Sequence, residues 1–533
     1  MSQPEAESAA ADVVIVGAGP VGLMLAAELC LGGVVPVVLE RLPEISDIPK
    51  GNGMIGEIVQ VLDYRGLREP FSADATYIGP VPGFDFGPLQ LDFSRLGGSP
   101  LHVMAIPQRR LELQLATRLE ALGGGITRSR ELTALVQDDD RVTLDVRGPE
   151  RDYRLSCRYL VGCDGARSTV RKLAGIGFPG VTSAELSRIG RVRLPGATVD
   201  HGTGQVLVPG LGPLRQGRFV RTQTGRYSLA PLAMVDKNAA PEMFIVATAE
   251  EEPGADADSP LTLDELRASF RRVLGADLPM TEPQWLTKTV GNSRQADRYL
   301  AGRVLLAGDA AHIFGSGGSL NVGLLDAVNL GWKLAAQVRG DAPAGLLDSY
   351  HAERHAAGER ALMHTRAQHV LAQDGLYTES FRTLVGELLA YPEVVRHLGQ
   401  LIEGSDVRYA VTAGAARPHP LAGLLAPDLR LNTPGGSARV AELLHTARPV
   451  LLDFTAGQRA AAAAAAWAGR LVVVTAEPQA PPGPADALLI RPDGYVAWAA
   501  GPGAPDPAAG LADALLAWVP GAPGGGKRGS GPS

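Results

Sequence analysis

The sequence has little cysteine. Its 533 residues include three, Cys30, Cys157 and Cys163, with no Cys-x-x-Cys pair and no Cys/His spacing that would hold a metal. That argues against a disulfide framework, a zinc site and a dithiol redox centre, and suits free buried thiols in a reducing cytoplasm. An excess of basic charge is also missing. Lys and Arg number 50 against 57 Asp and Glu, for a net charge of −7, which offers no electrostatic footprint for nucleic acid. The first residues, MSQPEAESAAAD, are polar and acidic, where a secretory signal needs a basic start and an apolar centre. There is no internal repeat. Residues 13–39 are long enough to cross a bilayer, but Pro20, Glu28, Pro36 and a cluster of glycines interrupt them. A strand, a turn, a helix and a second strand explain that stretch better, so no membrane partner is expected.

Apolar residues make up 45% of the chain, enough for sizeable cores, and at ~150 residues per domain the length fits about three domains. The runs 12–16 (DVVIV) and 35–40 (VPVVLE) read as buried strands on either side of a helix over 20–31. Further strands are expected at 103–106, 132–136, 142–147, 158–162 and 303–307, and helices near 57–66, 109–123, 322–339 and 345–371. Between about 179 and 290 the pattern changes to period-two runs at 205–208, 218–220, 226–229 and 243–246, broken by one helix at 262–275. After about 415 comes a loop-rich entry with Pro418, Pro420, Pro427 and Pro434. The strand VLLDF, a helix through the alanine run 460–466, the strand RLVVV and a hairpin follow.

Three glycine-rich turns carry the chemistry. Gly17-Ala18-Gly19-Pro20-Val21-Gly22 has the form GxGxxG, between a buried strand and a helix. Gly17 permits the tight turn, Gly19 lets the backbone approach a pyrophosphate, and Gly22 allows close helix packing. Glu40 ends the next strand, where a ribose hydroxyl needs an acceptor. The fingerprint alone suits NAD or FAD. Cys163-Asp164-Gly165-Ala166-Arg167-Ser168 follows a second strand, and its plainer explanation is helix capping by Asp164 and Ser168. The third is GDAAHIFGSGGSLN, from Gly308 to Asn321. Asp309 there suits a ribitol hydroxyl or a helix cap, and the later glycines expose backbone N–H groups at a helix start. His312 reads as a structural histidine on this loop.

Taken together, these turns resemble the group A flavoprotein monooxygenases, which share the para-hydroxybenzoate hydroxylase fold, over roughly residues 10–400. The segments Asp63-Tyr64-Arg65-Gly66-Leu67, Pro107-Gln108-Arg109-Arg110-Leu111-Glu112 and Asp326-Ala327-Val328-Asn329-Leu330-Gly331-Trp332-Lys333-Leu334 look most like the aromatic polyketide hydroxylases. The resemblance implies an α/β fold class: a Rossmann-like FAD-binding domain with an inserted antiparallel β-sheet substrate domain and a C-terminal thioredoxin-like domain without CxxC. The expected ranges are 10–178 (with a small substrate-domain excursion at about 76–102), 179–290, 291–400 for the second part of the FAD-binding domain and its long helices, and 415–520. Residues 521–533 are expected to be disordered.

The resemblance also implies FAD as cofactor and NADPH or NADH as co-substrate. A flavin C4a-(hydro)peroxide would deliver one oxygen of O2 to a polycyclic aromatic polyketide, by hydroxylation or Baeyer–Villiger insertion, in antibiotic biosynthesis. Glu40 and Arg41 would meet the adenosine ribose, Gln108 the ribitol and pyrophosphate, and Asp309 after Gly308 the ribitol. Asp164 and Gly165 would belong to the turn that handles FAD and NADPH. Gly317, Gly318 and Asn321 would lie at the pyrimidine edge of the flavin. Phe84, Phe86 and Tyr227 are candidates to line an aromatic pocket, with ordinary core packing as the alternative. The protein is expected to be a monomer or homodimer.

Two departures from the family stand out. The segment Phe314–Asn321 is short and has no proline before its Gly-Gly pair. Relatives also place an arginine at the position of Asn52, leaving Lys50 and Asn52 as the candidates to gate flavin and substrate, and a lysine is not an equivalent fork. These departures keep two other functions open: a flavin oxidoreductase of the same fold without oxygen insertion, and a flavin-binding partner subunit with no turnover.

Overall fold

The apolar run near the start forms the strand Ala10–Val16 inside an eight-stranded sheet. It pairs in parallel with Tyr153–Gly162 on one side and Val37–Glu40 on the other. Ile126–Arg128 continues the sheet in parallel beyond Val37–Glu40, and Val304–Leu306 does so beyond Tyr153–Gly162. Val13, Val14 and Ile15 are fully buried, as a strand covered on both faces requires. The structure, a computed structural model, describes residues 10–522 apart from 49, 50, 52, 201, 218, 253, 255, 257, 258, 316, 412–418 and 480–482. The expected tail therefore lies almost wholly outside the described residues, as does Pro418. No helix among the described residues is long and apolar enough to cross a membrane, and residues 13–39 are strand, helix and strand.

The helix Pro20–Leu31 follows the glycine turn with proline in its first turn, where no backbone N–H is needed. It crosses the long helix Ser319–Arg339 at very short range. A Cβ added at Gly331 would lie 2.3 Å from the Cβ of Glu28, and one at Gly32 would lie 2.5 Å from that of Ala335. These small residues bring the strand-turn-helix at the start of the chain against the one near residue 309.

A second, antiparallel sheet of six strands runs in the order 220–221, 226–231, 243–251, 180–193, 281–295 and 312–313. The helix Leu263–Leu274 packs on it through Leu266, Phe270 and Val273. Its last strand, His312–Ile313, comes from the loop after Asp309, so this sheet is hydrogen-bonded to that loop. The run 205–208 is not part of it but joins a separate three-stranded sheet with 198–200 and 212–215. Small sheets at 54–55, 77–80 and 102–105 and at 83–86 and 89–92 form the excursion near residue 80. The helices without an expected counterpart include Leu376–Leu388, Pro392–Glu403 and Leu511–Trp518.

The C-terminal unit has a four-stranded sheet in the order 472–475, 450–453, 487–490, 496–500, with its first pair parallel and the rest antiparallel. The alanine run forms a much shorter helix than expected, Arg459–Ala463, followed by a 3-10 turn that brings Trp467 into the core. Packing of that indole overrides the helix propensity of alanine. All three cysteines are free, Cys157 buried and the other two half-buried.

The helix crossing makes a direct prediction. Gly331→Val should destabilise the protein by about 1–3 kcal/mol through overpacking against Glu28. Urea denaturation checks it.

Candidate active site

At the first glycine turn, Gly17 has a left-handed φ of 106°, and its N–H donates to the Leu39 carbonyl at 2.8 Å. A Cβ there would sit 2.4 Å from the Cys163 carbonyl oxygen, and one at Gly22 would sit 2.0 Å from the Gly17 oxygen. Gly19 is different, because nothing lies within 4 Å of the space its Cβ would occupy. Two glycines thus allow close packing, and the third leaves open space at a helix N-terminus that no side chain caps. Glu40 stiffens the turn: its carboxylate accepts from Ala18 N–H and from Leu42 N–H, each at 2.8 Å.

The turn at Gly308 is held from behind by Asp326, which is fully buried on the long helix. Asp326 Oδ2 accepts from Gly308 N–H at 3.1 Å and meets His312 Nε2 at 2.6 Å, while Oδ1 accepts from Arg354 Nε at 2.7 Å. Burial pushes this carboxyl up, but the charges and hydrogen bonds of His312 and Arg354 outweigh it and hold the pKa below the ordinary value. His312 is fully buried and stacks on Phe314, with ring centres 5.1 Å apart, which suits a structural histidine. Asp326, Asn329 and Lys333 lie at helical spacing. Asn329 Nδ2 and Lys333 Nζ both reach Glu353 Oε2 at 2.7 Å, so this motif of the long helix is a buried polar seam.

Gly17, Gly19, Glu40, Arg41, Gln108, Asp164, Gly165, Asp309, Gly317, Gly318 and Asn321 all line one cleft of about 580 Å³. Gly22 and Gly308 do not line it. Gly22 packs on the turn, and Gly308 packs against Val21 with a φ of 64°. The Asp164 carboxylate borders the cleft but caps the short helix behind it, accepting from Ser168 Oγ at 2.5 Å and Thr169 N–H at 2.6 Å. Asp309 is exposed along the cleft. Gln108 Nε2 donates to Glu112 Oε1 at 2.8 Å. Lys50 and Asn52 lie outside the described residues. The open space at Gly19, the uncapped helix end and the carboxylate at the tip of the second strand fit a dinucleotide cofactor.

A smaller cavity of about 150 Å³ adjoins the cleft, and Gly317, Gly318 and Asn321 line both. Asn321 is fixed there by accepting from Ile55 N–H at 3.0 Å. Phe84 reaches this cavity, but Phe86 and Tyr227 do not. Phe86 belongs to a core cluster with Leu91, Leu101 and Leu371, and Tyr227 is packed in the antiparallel sheet. The polar lining came without a local sequence signal: Glu57, Arg354, Arg360, His364, Asp406 and Tyr495. Arg360 and His364 share a stripe with Ala357, Ala361 and Gln368 on one helix, a spacing that marks the face but not its partner.

Burial pushes the Glu57 carboxyl up to about 8, helped by Glu403 and Asp406 and opposed by Tyr495 and Arg354. Burial also lowers His364 to about 4, so it is neutral near pH 7. Unfolding returns Glu57 to its ordinary value of 4.5. Its stabilising contribution is full below about 4.5 and is lost as pH rises to about 8, because the folded state holds the proton the unfolded chain releases. Glu57→Gln should therefore flatten the decline in stability across that window, as read by urea midpoints at a series of pH values.

A family model for the FAD-binding domain matches residues 10–365, and one for the C-terminal part of aromatic-ring hydroxylases matches 419–523. The 12-dehydrotetracycline 5-monooxygenase/anhydrotetracycline 6-monooxygenase of Streptomyces rimosus is 43% identical over 95% of this chain and 98% of its own length. CabE, an aromatic hydroxylase from angucycline biosynthesis, superposes with a TM-score of 0.85 at 38% identity, covering 96% of this chain and 99% of that one. PyrE3, a Diels-Alderase of pyrroindomycin biosynthesis, superposes with a TM-score of 0.79 at 37% identity, covering 96% and 100%.

Proposed function

The chain belongs to the FAD-binding aromatic-ring hydroxylases and is an FAD-dependent monooxygenase, and we propose that it inserts one oxygen of O2 into a polycyclic aromatic polyketide. The observation that carries this is the shared wall. The larger cleft fits the dinucleotide, the smaller cavity is mainly apolar, and Gly317, Gly318 and Asn321 belong to both. A flavin ring at that wall would face a planar aromatic ligand held in the smaller cavity. When bound, FAD supplies the route by which an electron pair from NADPH or NADH reaches O2, with one oxygen atom going to the ligand and the other to water.

The chain's own residues hold and shield this chemistry. The uncapped helix end at Gly19 is suited to the pyrophosphate, and Glu40 with Arg41 to the adenosine ribose. Gln108 and Asp309 line the same cleft and would meet the ribitol, with Asp164 and Gly165 at its border. The start of the helix Ser319–Arg339, after Gly317 and Gly318, brings its positive end to the shared wall, where it would favour negative charge on a reduced ring. The mixed sheet near residue 450 supports reading the last unit as thioredoxin-like, and the antiparallel sheet supports a substrate domain over 179–290. The proposal covers transfer by hydroxylation or by Baeyer–Villiger insertion.

The resemblance to PyrE3 keeps a reading without oxygen insertion in play. Turnover of anhydrotetracycline, the substrate in the name of the Streptomyces rimosus relative, under 18O2 separates the two. One labelled oxygen in the product is expected, and product without label would contradict monooxygenation. Asp309→Ala should weaken FAD retention after gel filtration by roughly tenfold or more, the scale of one lost hydrogen bond to a polar ligand. Unchanged FAD content would remove Asp309 from the site.

A further inference from the structure

The smaller cavity holds a carboxyl group with an unusual setting. Glu57 begins the helix Glu57–Asp63, is 5% exposed, and lines the cavity. Its Oε2 accepts from Tyr495 Oη at 2.7 Å, and its Oε1 has no partner among the described residues. Tyr495 comes from the C-terminal unit and packs on Tyr409, with ring centres 4.3 Å apart, which fixes its hydroxyl. The charged and titratable groups facing Glu57 come from three elements. Glu403 ends one helix and Asp406 follows it, Arg354, Arg360 and His364 lie on another, and Tyr495 closes the third side.

Little of that positive charge is available to Glu57. Arg354 is engaged with Asp326, the Tyr409 hydroxyl and the Val322 carbonyl, and Arg360 with Asp406 Oδ2 at 2.7 Å. An ionised Glu57 would face two further carboxylates in a largely apolar chamber. A neutral carboxyl instead offers an O–H on Oε1. Asp406 Oδ1 is the complementary group: it is buried and has no donor among the described residues.

We propose that Glu57, oriented by Tyr495, is a substrate-binding residue that donates a hydrogen bond to a carbonyl oxygen of the ligand, while Asp406 accepts from a neighbouring hydroxyl. The smaller cavity therefore selects hydroxy-ketone ligands over plain aromatic hydrocarbons of the same shape. Tyr495 is a positioning residue, and through it the C-terminal unit takes part in substrate selection. This rests on the smaller cavity being the substrate chamber. The raised pKa of Glu57, near 8, agrees with a protonated donor at neutral pH.

The test uses the full-length, FAD-loaded protein and two fluorescent or absorbing probes, a peri-hydroxyanthraquinone and unsubstituted anthracene, titrated from about pH 6 to about pH 9.5. Hydroxyanthraquinone affinity should fall as pH rises through about 8, and anthracene affinity should not. Glu57→Gln keeps a donor and should abolish the pH step. Glu57→Leu should weaken the hydroxyanthraquinone by several-fold to about tenfold, the scale of one neutral hydrogen bond, without weakening anthracene. Tyr495→Phe should move the step upward, since the Tyr495 hydrogen bond lowers the Glu57 pKa. FAD content reports folding of each variant. Three results would overturn the proposal: no saturable hydroxyanthraquinone binding to the wild type, a wild-type profile flat through pH 8, or equal weakening of both probes by Glu57→Leu. Absence of label from 18O2 would sink monooxygenation yet leave these binding curves standing, so the two failures are distinguishable.

Discussion

Asp326 is the buried charge on which the site depends. Three donors converge on its two oxygens: the Gly308 amide, the His312 ring and the Arg354 guanidinium. The first fixes the turn that presents Asp309 to the cleft. The second fixes the strand His312–Ile313 and, through ring stacking, Phe314 at the wall of the smaller cavity. The third fixes Arg354, which lines the same cavity and holds Tyr409. A carboxylate this deep persists only because its partners are in place, and removing one partner of such a group typically costs about 3–5 kcal/mol. The same interaction that stabilises the interior therefore sets the position of both cavities.

A second seam of buried charge joins the C-terminal unit to this centre. Arg491 reaches Glu353 at 2.6 and 2.8 Å, and Glu353 also receives Lys333 and Asn329 from the long helix. Arg65 forks onto both oxygens of Glu28 and donates to the Pro492 carbonyl at 2.7 Å. Directional pairs of this kind favour one docking orientation, which apolar contact alone would define less sharply. That orientation brings Tyr495 to Glu57. The last unit thus lends a hydroxyl to a cavity whose other walls come from residues 55–407.

Much of the larger cleft's lining was legible because its signals are local. Gly17, Gly19, Glu40 and Asp309 each sit at a strand end, where a glycine or an acid at fixed spacing has a stereochemical reason. The parallel strands were legible from continuous apolar runs such as 13–16. Asp164 shows the limit of such motifs, since an acid after a strand caps a helix as readily as it meets a ligand. The smaller cavity was not legible. Glu57 and Tyr495 are 438 positions apart, and nothing near either one announces the other. Tyr227 and Phe84 look alike as aromatic residues in strands, and only the sheet topology sends one to the core and the other to the cavity. In the alanine run, high helix propensity gave way to the burial of Trp467.

On the proposed function, one wall, Gly317, Gly318 and Asn321, separates a dinucleotide cleft from a substrate chamber. The most direct measurement is a crystal structure of the FAD-loaded protein soaked with a hydroxyanthraquinone. The prediction is an isoalloxazine ring against Gly317 and Gly318, with the planar ligand in the smaller cavity within hydrogen-bond reach of Glu57. A flavin ring seated away from that wall, or a ligand bound outside the smaller cavity while the chamber stays closed, would contradict it.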